Sequence, residues 1–163
     1  YQRSRGLGDV YKRQDERNKL WKARHDAYYA TKSCKPDLEY IATDVCVPIS
    51  RLSECIEKTQ NDLTKYNLFG HIVGHVGDGN FHVVLPYDPQ KKETYKKIRE
   101  FSDLLIKKTL ELNGTITGEH GIGLHKKEYL LKEHADNIPV MKSIKRSIDV
   151  NNIMNPGKIF DLN

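Results

Sequence analysis

Apolar and polar positions along the chain switch repeatedly between a helical and an extended period. Residues 15–31 put Leu20, Arg24, Ala27 and Tyr28 on one stripe, with Asp15 and Glu16 in the first turn, which predicts a helix. A break follows around Pro36. Residues 40–48 (YIATDVCVP) are rich in β-branched side chains and predict a strand. Ser50 or Ser53 can cap the next helix, whose Leu52, Ile56, Leu63 and Tyr66 recur at helical spacing. Residues 70–85 hold two short apolar runs around Gly77-Asp78-Gly79-Asn80, a hairpin signal. Over residues 91–112, Ile98, Phe101, Leu105 and Leu112 define one face of a long helix that Asn113-Gly114 stops. A short strand at 115–117 then feeds a glycine-studded loop, 118–123. Helices follow near 126–134 and 139–149, and Asn155-Pro156-Gly157-Lys158 ends the pattern.

Strands separated by helices, with one hairpin, predict an α+β fold rather than a uniform parallel sheet. The arrangement closest to this order is ferredoxin-like: an antiparallel sheet with helices on one face, here followed by a helical tail. Composition narrows the class further. A length of 163 residues, 37% hydrophobic and 30% charged, suits one globular domain or a fragment of a larger chain. No apolar run approaches the ~20 residues of a spanning helix, which argues against an integral membrane protein. The net charge of +5 suggests nucleic acid, but residues 1–14 hold Arg3, Arg5, Lys12 and Arg13 against only Asp9. Outside them 23 basic residues face 21 acidic ones, and the case for a phosphate partner collapses. Residues 1–14 lack amphipathic periodicity and are read as non-native or disordered, leaving 15–163 as the folded domain. Three cysteines (Cys34, Cys46, Cys55) are too few for a disulfide framework and suggest a reducing compartment.

The hairpin is where pattern becomes chemistry. With Asp78-Gly79 as a two-residue type I′ loop, Val76 pairs with Phe81 and His75 with His82. The two imidazoles then share a face with Cβ atoms ~4.5–5.5 Å apart, a separation that a metal bound through nitrogens at ~2.0–2.1 Å can bridge. Val76, Phe81, Val83 and Leu85 fall on the opposite face, toward a core. Glu119, in a loop flanked by glycines, can be aimed at the same point. Two imidazoles and a carboxylate suit Zn²⁺, Mn²⁺ or non-haem Fe²⁺ with open positions for a chelating substrate. The plainer alternatives are half-buried histidines on a sheet face and a solvated loop acid. His120 adjoins the carboxylate and points elsewhere, so it is the natural base rather than a fourth ligand, or else a loop histidine bonded to backbone. Arg24, among Trp21, His25, Tyr28 and Tyr29, could clamp a substrate carboxylate bidentately, or lie on the surface with its stem against a ring.

Several segments together resemble one family. They are 20–25 (LWKARH), 43–52 (TDVCVPISRL), 74–82 (GHVGDGNFH), 117–123 (TGEHGIG) and 155–158 (NPGK), in this order. They are similar to the C-terminal substrate, or cap, domain and tail of FAD-linked 2-hydroxyacid dehydrogenases. The resemblance runs from Asp15 to Phe160; the family's large FAD-binding domain is not in this chain. It implies that His75, His82 and Glu119 ligate a divalent metal, Zn or Mn, and that His120 abstracts the substrate hydroxyl proton. It implies further that Arg24 holds the substrate carboxylate and that Asn155 and Lys158 belong to a tail motif returning to the flavin domain. Family members acting on D-2-hydroxyglutarate carry a polar residue where Val84 stands, so the resemblance favours the D-lactate branch. That branch implies D-lactate as substrate, cytochrome c as electron acceptor and a mitochondrial location. Another 2-hydroxy acid, such as glycolate or 2-hydroxyglutarate, is the alternative substrate. A non-haem iron oxygenase fits a helix-rich chain poorly, and a metal-binding module without redox chemistry stays open.

Overall fold

A computed structural model of the chain describes residues 14–162. Its elements are α1 (Gln14–Ser33), β1 (Glu39–Ala42), β2 (Val45–Cys46), α2 (Ile49–Lys65), β3 (His71–His75), β4 (Asn80–Tyr87), α3 (Lys92–Glu111), α4 (Lys127–His134) and α5 (Ile138–Ile148). A single 3₁₀ turn, Ala135–Asn137, joins the last two. The reading of residues 1–14 as non-native falls, but for Gln14, outside the described residues.

Strand β4 is the spine of the sheet. β1 and β2 lie end to end along one of its edges in a continuous antiparallel register, Ala42 opposite Val84 and Val45 opposite Phe81. The single strand expected over 40–48 is therefore interrupted at Thr43-Asp44. Pairing still spans the gap: Thr43 N donates to Val83 O (3.0 Å), and Val83 N donates to the Thr43 hydroxyl (2.9 Å). β3 pairs with the other edge of β4. The strand expected at 115–117 reduces to one antiparallel bridge, Thr115 with Cys46. Counted across the sheet the order is Thr115, β1/β2, β4, β3, with α2 and α3 as the crossovers. This is the split βαβ order of a ferredoxin-like fold.

The hairpin register differs from the one the turn residues predict. Val73, not His75, stands opposite His82, and His75 stands opposite Asn80. The loop is thus four residues, 76–79, closed by Asp78 N donating to His75 O (2.8 Å). A type I′ turn needs positive φ at both central residues, but of the pair only Gly79 has it (φ +76°). Gly79 O accepts from Val47 N (3.0 Å), and a Cβ at Gly79 would lie 2.0 Å from Val47 O. That close approach holds the loop against β2 and sets the longer turn. Val76 consequently leaves the core face and is 68% exposed.

Alternation along β4 sends Phe81, Val83 and Leu85 to one face, where they pack with Leu52, Cys55 and Leu63 of α2 and Ile98, Phe101 and Leu105 of α3. The predicted apolar faces of both helices are those that bury. Pro48 precedes α2 with no side-chain cap, so Ser50 and Ser53 lie inside the helix rather than capping it. α3 ends in a Schellman arrangement: Asn113 takes a left-handed conformation (φ 58°), and Gly114 N donates to Thr109 O (2.9 Å). α1 differs from both. It buries no residue: Leu20 and Tyr28 of its stripe are exposed, as are Trp21 and Tyr29. No helix among the described residues is long and apolar enough to cross a membrane.

Candidate metal centre

The face of β4 turned away from α2 and α3 carries Asn80 and His82, both buried. The hairpin slip of two residues preserves side-chain parity, so His75 stays on this face as a diagonal neighbour of His82 instead of its direct partner. Their ring centroids are 6.2 Å apart at 85°. Glu119 arrives from the loop after Thr115 and closes the cluster. Its Oε1 lies 3.0 Å from His82 Nε2 and 3.4 Å from His75 Nε2. One potential ligand atom from each of the three residues falls within 4.8 Å of the others. Two ligands bound at ~2.1 Å and set ~109° apart lie ~3.4 Å from one another. The carboxylate–imidazole separation at His75 matches a tetrahedral site, the one at His82 is shorter, the length of a direct contact, and the donor set suits Zn or Mn chemically.

A backbone hydrogen bond orients the His82 ring. Its Nδ1 is 3.0 Å from Thr43 O, an atom that can only accept, so Nδ1 carries a proton and Nε2 is the ring atom turned toward Glu119. His75 is held differently. Arg24 Nη2, reaching over from α1, sits 2.9 and 3.0 Å from its two ring nitrogens. His120 does not converge on Glu119 as the imidazoles of His75 and His82 do. Its Nε2 is 3.7 Å from Glu119 Oε1, and its ring stacks flat on His82, 4.9 Å between centroids at 11°. Half-exposed, it can exchange protons with solvent.

Below the cluster is a layer that sequence reasoning did not single out. Asp44 is 2% exposed. Its Oδ2 accepts from Thr117 Oγ1 (2.8 Å) and from the backbone N–H groups of Gly118 (3.0 Å), Glu119 (3.2 Å) and His120 (2.9 Å). Its Oδ1 accepts from Asn80 Nδ2 (2.8 Å) and is 3.6 Å from His82 Nδ1. Burial by itself raises the pKa of this carboxyl. The bonds from His120, Asn80 and Thr117 and the charge of Lys126 outweigh that and hold it well below the usual carboxylate range. Lys126 Nζ in turn donates to Asp44 O and Ile116 O, both at 2.7 Å. Asn80 gives its second N–H to Val45 O (2.9 Å), while its Oδ1 is buried with no hydrogen-bond partner. An aspartate inside a β-branched run gives no signal of this role. Only the abrupt polar pair Thr43-Asp44 in an apolar strand could have drawn attention to it.

Asn155 and Lys158 are not part of the cluster. Both are exposed on the tail turn, which is tied to the site loop by Ile159 N donating to Gly123 O (2.7 Å) and to the start of α4 by Lys127 Nζ donating to Gly157 O (3.0 Å). A cavity of about 430 Å³ opens beyond His120, bordered by Thr43, Asp44, Ile98, Arg99 and Tyr129, and none of His75, His82 or Glu119 lines it.

Fold and site together define an α+β domain presenting two histidines and a carboxylate on one sheet face with a third histidine alongside. Comparison with known proteins gives this class a family. The model for the C-terminal domain of FAD linked oxidases matches residues 2–159, and the chain belongs to that family. Over 163 residues the chain is 46% identical to the "Probable D-lactate dehydrogenase, mitochondrial" of Danio rerio, covering 98% of this chain and 33% of that protein. It is 41% identical to the mitochondrial cytochrome-type D-lactate dehydrogenase 1 of Saccharomyces cerevisiae, covering 90% and 25%. It is 35% identical to the glycolate oxidase subunit GlcD of Bacillus subtilis, covering 90% and 31%. The chain thus spans a quarter to a third of the length of these relatives. Among solved structures, the 4-ethylphenol oxidase of Gulosibacter chungangensis superimposes with a TM-score of 0.63 over 93% of this chain and 32% of that one, at 19% identity, a likeness of fold.

Proposed function

We propose that this chain is the substrate domain of an FAD-dependent dehydrogenase that oxidises D-lactate to pyruvate in mitochondria and passes the electrons to cytochrome c. The observation that carries the reading is the convergence of His75, His82 and Glu119 beside His120 in a chain 46% identical to a protein named as a D-lactate dehydrogenase. A divalent Zn or Mn held by those three side chains would supply a Lewis acid that lowers the pKa of the substrate hydroxyl. FAD would supply the two-electron acceptor for the hydride on C2, held mainly by parts of the protein outside this chain.

The chain's own residues do the rest. His120 takes the hydroxyl proton at a ring nitrogen; stacked on His82, it lies beside the ligand set without belonging to it. Arg24 approaches the substrate carboxylate from α1. Its Nη2 lies 2.9 and 3.0 Å from the two ring nitrogens of His75, so a cation held by His75 would repel the guanidinium and leave its N–H groups to a carboxylate. The Thr43 carbonyl keeps His82 in the ligating tautomer. Asn155 and Lys158 offer an exposed amide and ammonium on a turn tied to the site loop, where they can touch the flavin from the tail side. Val84, 2% exposed and two residues after His82, offers nothing to a second carboxylate, which favours a monocarboxylate over 2-hydroxyglutarate. Glycolate is also a monocarboxylate, and the glycolate oxidase relatives make it the alternative substrate.

Metal analysis of the full-length protein beside its His75→Ala, His82→Ala and Glu119→Ala variants tests this reading. Stoichiometric metal in the parent and loss in each variant is expected, while His120→Ala keeps its metal and loses flavin reduction by D-lactate. Full metal retention by all three ligand variants, or normal flavin reduction without His120, contradicts it.

A further inference from the structure

We propose that Asp44 is the positioning residue of the site, a buried carboxylate that places Glu119 and His120 relative to His82; the role in metal binding rests on the metal reading above. The argument starts from a mismatch between exposure and order. Gly118, Glu119 and His120 are exposed loop residues, yet their three successive N–H groups converge on Asp44 Oδ2 at 2.9–3.2 Å. Such a run of amides is a ready-made anion cradle, and here the anion is built into the fold. Thr117 Oγ1 adds a further bond to the same oxygen. The loop thereby presses onto the sheet so closely that a Cβ on Gly118 would lie 1.8 Å from Asn80 Nδ2.

The other oxygen faces β4. Asp44 Oδ1 accepts from Asn80, the cross-strand partner of His75, and the carbonyl of the preceding residue, Thr43, fixes His82. Thr43-Asp44 is therefore the point at which the ligand from the distant loop and the ligands of the hairpin are referred to one frame. Charge is needed as well as shape. Both oxygens of Asp44 face donors, so an amide in its place must turn its NH₂ group toward one donor set whichever way it is oriented. Outer partners of this kind change metal affinity by ~10–100-fold when removed.

The test uses the full-length protein, its Asp44→Asn variant, amide hydrogen exchange without metal, and titration with Co²⁺ read by its visible spectrum. In the parent, the amides of Gly118, Glu119 and His120 are expected to exchange more slowly than those of Gly121 and Leu124 in the same exposed segment. In Asp44→Asn that protection falls at least about tenfold while α3 amides are unchanged. Co²⁺ affinity falls ~10–100-fold, and the visible band shifts as the ligand geometry loosens. Unprotected loop amides in the parent, or unchanged Co²⁺ affinity in a variant whose loop has loosened, overturn the proposal. Should Asp44→Asn fail to fold, Thr117→Val, which removes the 2.8 Å bond to Asp44 and a 3.2 Å bond to Gly121 O, decides: a few-fold loss of affinity together with lost protection at Gly118, Glu119 and His120 supports the role, and no change in either overturns it. A parent that binds no Co²⁺ yet protects these amides overturns the metal reading and leaves Asp44 only as the anchor of the loop.

Discussion

At the scale of single residues, the site depends on how closely backbone may approach side chain. Gly118 and Gly77 make the contrast. A Cβ at Gly118 would collide with the Asn80 amide, 1.8 Å from Nδ2 and 2.6 Å from Cγ, and would reach 3.0 Å from Asp44 Oδ1. A Cβ at Gly77 meets nothing within 4 Å. Gly118→Ala must therefore lift the 117–120 segment from the sheet or displace Asn80, at a cost of about 1–3 kcal/mol by analogy with overpacked cores. Urea unfolding should show that loss, and calorimetry should show weaker metal binding, whereas Gly77→Ala leaves both within experimental error. Equal behaviour of the two variants would mean that the loop does not seat on Asn80. His82 shows the same economy of space: 11% of its side chain is exposed, one ring nitrogen serves Thr43 O and the other faces Glu119.

At the scale of elements, α1 and α3 are both 20 residues long yet differ in what holds them. α3 buries Ile98, Phe101, Leu105, Ile106 and Thr109, while α1 buries nothing. Its ties to the rest include Arg24 against His75 and the Tyr40 hydroxyl donating to Thr31 O (3.1 Å). Few buried contacts mean a low free energy of local opening. Hydrogen exchange on this chain should find α1 amides orders of magnitude less protected than those of α3 facing β4; equal protection would contradict it.

The same distinction explains what the sequence revealed. Helical stripes that bury, such as Ile98-Phe101-Leu105, were readable because burial imposes their period. The stripe in α1 was readable from the same spacing, but its Leu20 and Tyr28 stay exposed. The hairpin was readable as a hairpin and its histidines as sharing a face, because a two-residue slip keeps parity; its register was not, because the contact of Gly79 with Val47 O is long-range. His75, His82, Glu119 and His120 could be named from residue type and spacing. Asp44 and Asn80 could not, since their roles arise from hydrogen bonds across 36 to 76 positions of sequence.

At the scale of the whole molecule, one sheet face carries packing and the other carries the candidate site, and β4 belongs to both. Phe81, Val83 and Leu85 anchor the strand in the core, so Asn80 and His82 between them inherit that rigidity. Segments from α1, the Thr43-Asp44 interruption, the hairpin and the 117–120 loop meet at one point, within a chain that spans a quarter to a third of its relatives. The central claim is that this meeting point is a metal site. Crystals of the full-length protein grown with Mn²⁺ and measured for anomalous scattering test it most directly. The account predicts one strong peak ~2.0–2.2 Å from a ring nitrogen of His75, Nε2 of His82 and a carboxylate oxygen of Glu119, with Arg24 withdrawn from His75. A map with no peak there, or with the Arg24–His75 contact intact beside a metal bound elsewhere, would contradict it.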